Sequence, residues 1–562
     1  MKTLKYIITG IALLVLPGLA LKGTEGQKQP ILVLLHSRFD DHINMGVGEE
    51  RLFRLITLVE KLRSEFSPYA INVSCELSGS FAQDLTRTPT GKGYLSRLQE
   101  LAKGGWLDLG YIGENEPTYR TRPRAVFSKE MSAEERWETQ TRTAEKFFND
   151  YKDPLTGEPD SSRPGGLRAM REVLGEPRIL GVFAPELGGE APYYHQLRRM
   201  GIEAIMPGFP DPYFTMNIHG YRASAVEIGK SMVPVPEASS ELFWDSNFLR
   251  ASFTSSADMR HFYAEEGQEA FSKLMEKLDR SRVRLVQIEV ISYERYLTKW
   301  PDGTPKLHPL TWAYEHPANP VVPSGIRAFV DTAEVDKAFA AEQQMLSWLL
   351  DEFLPANKGS RIVSAKDLLA MAQTPLGSTV SAGTLAEAAR DWIARSKKEV
   401  NMSPTYVEAG GAYFSAADLF QLLANGLAGI AQNGKRPESV RLTHIYGPIA
   451  LESTEETFPT TVISAREIAR VAAELVPALN DQTWRPVPSN AVPVRVEIAG
   501  KRLIPAQFLA LMVEAFLAST PDQPIRLRYF QPVTAPGYFF PRQNSISDGG
   551  HIWTVRPAPL KL

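Results

Sequence analysis

Short apolar runs alternate with helix-like segments through the first two thirds of the chain. Residues 31–35 are continuously apolar, which is typical of a strand buried on both faces. A polar segment from His36 to Gly48 is predicted to be a loop, and residues 49–66 then carry apolar positions at helical spacing. The same patterns predict strands at 70–77, 106–112, 179–184, 204–206, 283–291 and 361–363, and helices at 94–102, 193–200, 257–278 and 335–353. This alternation predicts parallel βαβ units and favours a barrel, with functional residues at the carboxyl ends of the strands.

Two segments interrupt the alternation. Residues 116–167 are rich in charge, proline and glycine around one helix-like patch at 133–151, and residues 298–325 combine many prolines with Trp300 and Trp312. Long segments of this kind usually form lids or binding loops when they are ordered. The two tryptophans are candidates for stacking on sugar rings, and core packing explains them nearly as well. A solvated insertion is at least as good an interpretation of residues 116–167.

The last third of the chain repeats one helix-start pattern. The four starts are Val380-Ser381-Ala382, Phe414-Ser415-Ala416, Ile463-Ser464-Ala465 and Ile504-Pro505-Ala506. Serine caps a helix N-terminus, and proline suits the first helical turn. Residues 407–411 also align with residues 496–500, which indicates duplicated units. Residues 375–562 are therefore predicted to form a mainly helical repeat module with short hairpins, and they faintly resemble the cell-wall-binding repeats of some secreted wall enzymes.

The composition is ordinary for a globular protein, and it excludes several classes. The 562 residues include 62 Lys+Arg and 65 Asp+Glu, so the formal net charge is −3 and there is no basic footprint for nucleic acid. Hydrophobic residues make up 43% of the chain, which is enough for large cores and excludes disorder as the main state. The single cysteine, Cys75, excludes an intramolecular disulfide and any multi-cysteine zinc site, and we expect it to be a small buried hydrophobe.

The N-terminus has the pattern of an export signal. Lys2 and Lys5 precede an apolar run at 6–16, and small residues follow up to Ala20. The run is too short to cross a membrane comfortably, since a spanning helix needs about 20 residues. We expect residues 1–20 to be a signal peptide, with a retained anchor as the alternative. No other segment is long and apolar enough to cross a bilayer, so the mature protein is expected to be secreted or periplasmic.

The first predicted strand leads into His36-Ser37-Arg38-Phe39-Asp40-Asp41-His42. Two adjacent acids between two histidines suit a general base together with ligands for zinc or a similar divalent ion. In the alternative interpretation, one of the acids caps the next helix and the histidines are exposed. The residues by themselves leave both interpretations open.

Phe39-Asp40-Asp41 resembles the Thr-Phe-Asp-Asp motif of the polysaccharide deacetylases, the NodB-type barrels. Residues 72–79 are similar to that family's second strand, and residues 98–110 to its helix, glycine turn and third strand. Phe183-Ala184-Pro185-Glu186 stands where the family has an Arg-x-Pro-x-Gly loop. The resemblance covers residues 30–372 in architecture.

The resemblance implies an α/β fold, a deacetylase-like (β/α) barrel followed by the C-terminal mainly helical repeat module. It also implies that Asp40 is the catalytic base and Asp41 a metal ligand. The chain departs from the family because residues 113–117 lack the His-x-x-x-His pair and residues 287–291 lack the late histidine. The remaining candidates for holding a zinc or similar ion are Asp41, His36, His42 and Glu116.

Carboxylates recur at the predicted strand ends, at Glu76, Glu114, Glu116, Glu186 and Glu289. In a closed barrel they would converge with the histidines on one pocket, where they either bind a hard divalent ion or act in pairs on a glycosidic bond. Related amylase-like and mannosidase-like barrels use such pairs, and here the candidate pair is Glu186 with Asp40. Glu76 and Glu289 are candidate substrate contacts. For any single glutamate, a structural ion pair with an arginine is the favoured interpretation.

Three functions therefore stay open, and all three take a polysaccharide or cell-wall glycan as the partner. The first and favoured one is a hydrolase that deacetylates an envelope or extracellular polysaccharide with metal-bound water. The second is a glycoside hydrolase with paired carboxylates. The third is a non-catalytic saccharide-binding or scaffold protein, because the fold does not set the activity.

Overall fold

The computed structural model describes the chain in separate stretches. They are residues 28–39, 45–66, 71–111, 130–152, 159–175, 204–205, 213–219, 222–227, 268, 272, 283–291, 298–299, 305–306, 329–330, 332–372, 377–398, 403–404, 406–449, 461–481, 483, 490–530, 553 and 556–557. The predicted signal peptide at 1–20, the strand at 179–184 and the helix at 193–200 lie outside the described residues, and the helix at 257–278 lies almost wholly outside them.

The described part of the first two thirds of the chain contains both strands and helices. The strands are β1 (Ile31–Phe39), β2 (Val73–Leu77), β3 (Leu107–Tyr111), β4 (Asp150–Lys152), β5 (Pro159–Pro164), β6 (Ala204–Ile205), β7 (Tyr213–His219), β8 (Arg222–Glu227), β9 (Arg284–Glu289), β10 (Thr298–Lys299), β11 (Pro305–Lys306), β12 (Phe329–Val330) and β13 (Arg361–Ile362). The helices are α1 (Met45–Glu65), α2 (Gly79–Leu85), α3 (Pro89–Lys103), α4 (Ala133–Asn149), α5 (Gly166–Leu174), α6 (Thr332–Trp348) and α7 (Ala365–Ala372). Helix α6 continues through a π-helical turn, Leu349–Phe353, and a last turn, Leu354–Ala356.

Local chemistry explains where several of these helices begin. Ser78 caps α2 by accepting a hydrogen bond from the backbone N–H of Phe81, at 3.2 Å. Ser132 and Glu135 form a reciprocal capping box at the start of α4. The sequence predicted α4, but it did not predict α2, α5 or the β4–β5 hairpin. These elements are short, so they show too few periods for a pattern to emerge.

A parallel sheet is built around β1. Strand β9 pairs with β1 over Ile31–His36, and β2 pairs with it over Leu35–Phe39. Since Leu35 and His36 pair with both strands, β2 and β9 lie on opposite edges of β1. Strand β3 extends the sheet beyond β2, and the short β13 pairs with β1 at Leu32 and Val33. These five strands form a parallel sheet. Its closure into a barrel stays a prediction.

The loop predicted to begin at His36 is wrong for its first four residues. Strand β1 continues to Phe39 because β2 pairs with it along this stretch, from His36 opposite Ser74 to Phe39 opposite Leu77. The strand that pairs with residues 36–39 along their whole length lies almost forty residues later in the sequence. Polarity in the local sequence therefore gave the wrong prediction, and tertiary pairing overrode it.

The two faces of this sheet differ at its carboxyl end. Side chains alternate along each strand, and registered neighbours in parallel strands share a face. One face carries Phe39, Cys75 and Leu77, all fully buried, and the Phe39 ring stacks on Phe81 of α2 with centroids 6.2 Å apart. The same face carries the buried Ser37, whereas His36, Ser74 and Glu76 lie on the opposite face.

The last third of the chain contains one arrangement twice. Its strands are β14 (Thr379–Ser381), β15 (Tyr406–Ala409), β16 (Ala412–Ser415), β17 (Ser439–Arg441), β18 (Val462–Ser464), β19 (Val496–Ile498), β20 (Lys501–Leu503) and β21 (Pro524–Arg526), and β22 (Arg556–Pro557) pairs with β8. Its helices are α8 (Ala382–Lys398), α9 (Ala416–Asn433), α10 (Ala465–Leu479) and α11 (Pro505–Leu517). Each copy runs strand, helix, hairpin, helix, strand, and its first and last strands pair antiparallel, β14 with β17 and β18 with β21.

All four predicted helix starts of this region are confirmed. Ser415 and Ser464 cap α9 and α10, and Pro505 occupies the first turn of α11. The helices share one continuous core that includes Trp392 and Phe508, both fully buried. Among the described helices, none combines the length and the apolarity needed to cross a membrane. The boundary of this module near residue 375 stays a prediction.

Candidate functional site

Three polar side chains are buried on the face of the parallel sheet opposite Phe39 and Cys75. They are His36 of β1 and Ser74 and Glu76 of β2, here named the polar row, and they are at most 2% exposed. His36 is registered opposite Ser74, and Ser74 Oγ lies 3.5 Å from Glu76 Oε1. Parallel strands are normally apolar on both faces. A buried polar row thus breaks the local rule of the fold, as functional sites often do.

Glu289 completes the arrangement at the level of the backbone. It is the last residue of β9 and is registered opposite His36, on the edge of β1 away from β2. Neighbouring strands lie about 4.8 Å apart and residues rise about 3.3 Å along a strand. The Cα atoms of Glu76 and Glu289 are then about 12 Å apart, with two strand spacings and a two-residue offset between them. Two of the sequence-predicted glutamates therefore flank the strand that carries His36.

Arg51 of α1 ties the ends of β1 and β9 together. Its guanidinium is fully buried and donates hydrogen bonds to the carbonyl oxygen of Ile291, at 2.7 and 2.9 Å, and to that of Arg38, at 2.8 Å. The same guanidinium lies over the Phe39 ring, with Cζ 4.6 Å from the centroid. Hydrogen bonds from a charged donor are stronger than neutral ones. Arg51 therefore holds the segment after Glu289 against the segment before Asp40.

Glu342 of α6 also binds Ile291, through the backbone N–H instead of the carbonyl. Its carboxylate Oε1 accepts a hydrogen bond from the backbone N–H of Ile291, at 3.0 Å, and the side chain is 3% exposed. Ile291 has a φ of +52°, in the left-handed region that a β-branched residue rarely adopts. A conformation of this kind costs about 1–3 kcal/mol and persists only where its surroundings enforce it. Arg51 and Glu342 are those surroundings.

Two further titratable groups near the polar row have shifted pKa values. Burial raises the pKa of the Cys75 thiol well above its usual value, the Glu76 carboxylate raises it further, and Arg51 opposes them. The prediction that Cys75 is a small buried residue is confirmed, and a thiol with a raised pKa stays protonated. Burial also raises the pKa of Asp108 of β3, against hydrogen bonds from the Lys366 backbone and the Asn72 side chain. Asp108 thus has a structural task at the start of α7.

The described residues test only part of the predicted site. The structure brings His36 and Glu76 together on one face and registers Glu289 opposite His36. The remaining predicted site residues lie outside the described stretches: Asp40, Asp41, His42, Glu116, Glu186, Trp300 and Trp312. Their roles stay predictions.

The described residues hold only part of the predicted metal site. Of its four expected ligands, His36 alone lies in the described stretches, and it sits within β1 beside Ser74 and Glu76. Within those stretches no group of three or more histidine, cysteine, aspartate or glutamate residues is arranged to hold a metal. The ion and its ligands stay a prediction.

Sequence reasoning missed Arg51, Glu342 and Ser74. Arg51 and Glu342 stand in helices whose other charged residues are mostly solvated, so their types give no signal of burial. Ser74 had a weak signal, because it alternates with Glu76 in an otherwise apolar strand. Period-two alternation indicates a shared face. It does not indicate which face is interior.

No protein-family model and no curated protein matches the chain. Among solved structures, the chain is similar to the 4-alpha-glucanotransferase from Thermococcus litoralis, with 14% identity and a TM-score of 0.28. The match covers 66% of this chain and 46% of that one, so the chain spans less than half the length of the enzyme it matches. A likeness of this size carries no argument about activity, and the function has to be inferred from the site itself.

Proposed function

We propose that the protein is a hydrolase of a polysaccharide or cell-wall glycan and that it cleaves glycosidic bonds with paired carboxylates. The observation that carries the proposal is the placement of His36, Glu76 and Glu289 on three adjacent parallel strands. In parallel α/β folds, functional residues gather at the carboxyl ends of the strands. Glu76 and Glu289 belong to the strands on either side of β1 and stand near the strand ends, where such a site is expected.

Asp40 and Glu186 are the proposed reacting pair, with Glu289 contacting the substrate beside them. Asp40 follows Phe39, the last residue of β1, and the end of β1 is tied to the end of β9 by Arg51. One carboxyl group donates a proton to the glycosidic oxygen as the bond from that oxygen to the anomeric carbon breaks. The other carboxylate either takes a proton from the attacking water or attacks the anomeric carbon itself, at separations of about 6.5–9.5 Å or 5–5.5 Å respectively.

The polar row supports this chemistry from inside the sheet. Glu76 and His36 are buried, so they act on their neighbours in the protein rather than on a solvated chain of sugars. A fixed carboxylate and a fixed imidazole beneath a site determine the local charge and hold the neighbouring residues in position. Contacts of this kind preorganise the reacting groups. We assign them positioning roles.

The test is product analysis on the purified mature chain. α-Glucan, β-glucan, chitin oligosaccharides and peptidoglycan are incubated with the wild type and with Asp40→Asn, Glu186→Gln and Glu289→Gln. Glu134→Gln, an exposed glutamate of α4, is the matched control. We expect new reducing ends from one substrate, lost about 10²–10⁴-fold in Asp40→Asn and Glu186→Gln, as for removal of a general acid or base.

The other two functions are outcomes of the same experiment. Release of acetate without new reducing ends would replace this proposal with the deacetylase. Retention of a glycan with neither product would replace it with plain binding. Reducing-end release that survives all three carboxylate variants would refute the assignment of the reacting groups.

A further inference from the structure

The carboxyl end of β9 is held by charged side chains from two different helices. Ile291, two residues after Glu289, has its N–H bound to the Glu342 carboxylate of α6 and its carbonyl bound to the Arg51 guanidinium of α1. Arg51 also binds the carbonyl of Arg38, near the end of β1. Both charged side chains are almost completely buried. One strand end does not need two buried charged side chains to complete the hydrogen bonds of its backbone.

A structural role alone would be met more simply. The backbone groups that follow a strand can be satisfied by water, by a turn or by a helix cap, without burial of a charge. Burying a guanidinium and a carboxylate is costly unless they are well hydrogen-bonded. They here enforce a left-handed φ of +52° on a β-branched residue. Enforced conformations of this kind are concentrated at active sites, where the strain fixes a geometry.

We propose that Arg51 and Glu342 are positioning residues that fix the end of β9, and with it Glu289, relative to the end of β1. This inference rests on the proposed function, because it holds the end of β9, which carries Glu289, against the end of β1, which Asp40 follows in the sequence. Val290 N–H donates to the His36 carbonyl at 2.7 Å, so β9 stays paired with β1 until one residue before Ile291. Arg51 and Glu342, here named the clamp, act where this pairing stops, and Arg51 joins Arg38 inside β1 to Ile291 just after β9.

The clamp works through two contacts of different character. The guanidinium reaches two neighbouring strands at once and stacks on Phe39, which an ammonium group does not reproduce because it is a point charge without a planar fork. The carboxylate of Glu342 uses one oxygen to accept from Ile291, and the amide oxygen of a glutamine accepts in the same way. Lysine is therefore predicted to be a poor substitute at residue 51, and glutamine a good one at residue 342.

The experiment compares Glu342→Ala with Glu342→Gln, and Arg51→Met with Arg51→Lys, in the full chain. Glu352→Ala is the matched control, since Glu352 is an exposed glutamate on the continuation of the same helix. The first readout is amide hydrogen exchange in peptides that contain Ile291. We expect exchange about ten- to a hundredfold faster in Glu342→Ala, as loss of a hydrogen bond to a charged group implies, and little change in Glu342→Gln.

The second readout separates positioning from folding. With kcat expressed per folded molecule, we expect Glu342→Ala and Arg51→Met to lose about a hundredfold in kcat, as a misplacement of about 1 Å produces, while KM stays within about twofold. Glu342→Gln should retain kcat within a few-fold, whereas Arg51→Lys should not.

Two results would overturn the proposal. One is unchanged exchange at Ile291 in Glu342→Ala, and the other is a loss of turnover that merely follows the loss of folded protein. A wild type that cleaves no glycan refutes the proposed function instead. In that case the exchange rates alone decide whether Arg51 and Glu342 hold the end of β9.

Discussion

The contact between α2 and α5 makes a sharp prediction about stability. A Cβ added to Gly79, the first residue of α2, would stand 2.0 Å from the carbonyl oxygen and 2.4 Å from the nitrogen of Gly166. Both are backbone atoms, so no side-chain rotation relieves the clash. We expect Gly79→Ala to push α2 away from α5 and to destabilise the protein.

The size of the effect follows from the geometry. The contact has to open by about 1.5 Å to reach the ~3.5 Å of an ordinary contact. A gap of even 0.5–1 Å forfeits about a quarter to a half of the dispersion energy of the atoms it separates. Phe81 and Leu85 of α2 and Leu167 of α5 are all buried. Overpacking typically costs about 1–3 kcal/mol. Alanine has a helix propensity about 0.5–1 kcal/mol more favourable than glycine, so the expected net loss of stability is about 1 kcal/mol.

Gly93→Ala in α3 is the matched control, because it is the same substitution in a helix with nothing within 4 Å of the new Cβ. It should stabilise the protein by about 0.5–1 kcal/mol. A chain of this length need not unfold in one step, so urea unfolding is paired with hydrogen exchange of the α2 and α5 amides. Stability changes of the same sign in both variants would refute the reasoning, as would a loss below about 0.5 kcal/mol in Gly79→Ala.

Two further predictions concern the duplicated hairpins and the sheet. Ala499 has a φ of +50° in the β19–β20 turn, where the first copy has Gly410. In urea unfolding, Ala499→Gly should stabilise the protein by about 0.5–1 kcal/mol and Gly410→Ala should destabilise it by about 1–2 kcal/mol. Equal changes in the free energy of unfolding for the two variants would contradict this. The raised pKa of Asp108 means that the folded state keeps this proton to a higher pH than the unfolded state, so stability falls as pH rises from about 3.9 through the folded pKa. Asp108→Asn should therefore be more stable than the wild type at pH 7, with a difference that shrinks towards pH 4 in urea unfolding; a difference independent of pH would exclude this cause.

Much of the secondary structure could be predicted because its determinants are local. The apolar run at 31–35 is a buried parallel strand, and the four helix starts of the last third are set by serine or proline within one turn. The duplication was visible in the sequence because hairpin residues recur at equal distances from helix starts. These signals need only a few neighbouring residues, and tertiary packing did not override them.

The candidate site was predicted only as a set of residue types at strand ends. The carboxylates at residues 76 and 289 and the imidazole at residue 36 were identified as partners. Their register was not predicted, because it depends on which strands pair. Strand β1 pairs with residues 73–77 on one edge and with residues 284–289 on the other. A shift of one residue in either pairing would place a different face inward.

The sequence by itself determined the alternation of strands and helices, the repeated helix starts and the residue types available for chemistry. Only the tertiary structure decided that β1 continues through Phe39, that His36, Ser74 and Glu76 form a buried row, and that Arg51 and Glu342 meet at Ile291. The physical reason is the separation along the sequence of the residues that interact. Caps and periodicity act within a few residues, whereas Arg51 and Ile291 are 240 residues apart and meet only once the sheet and its helices have packed.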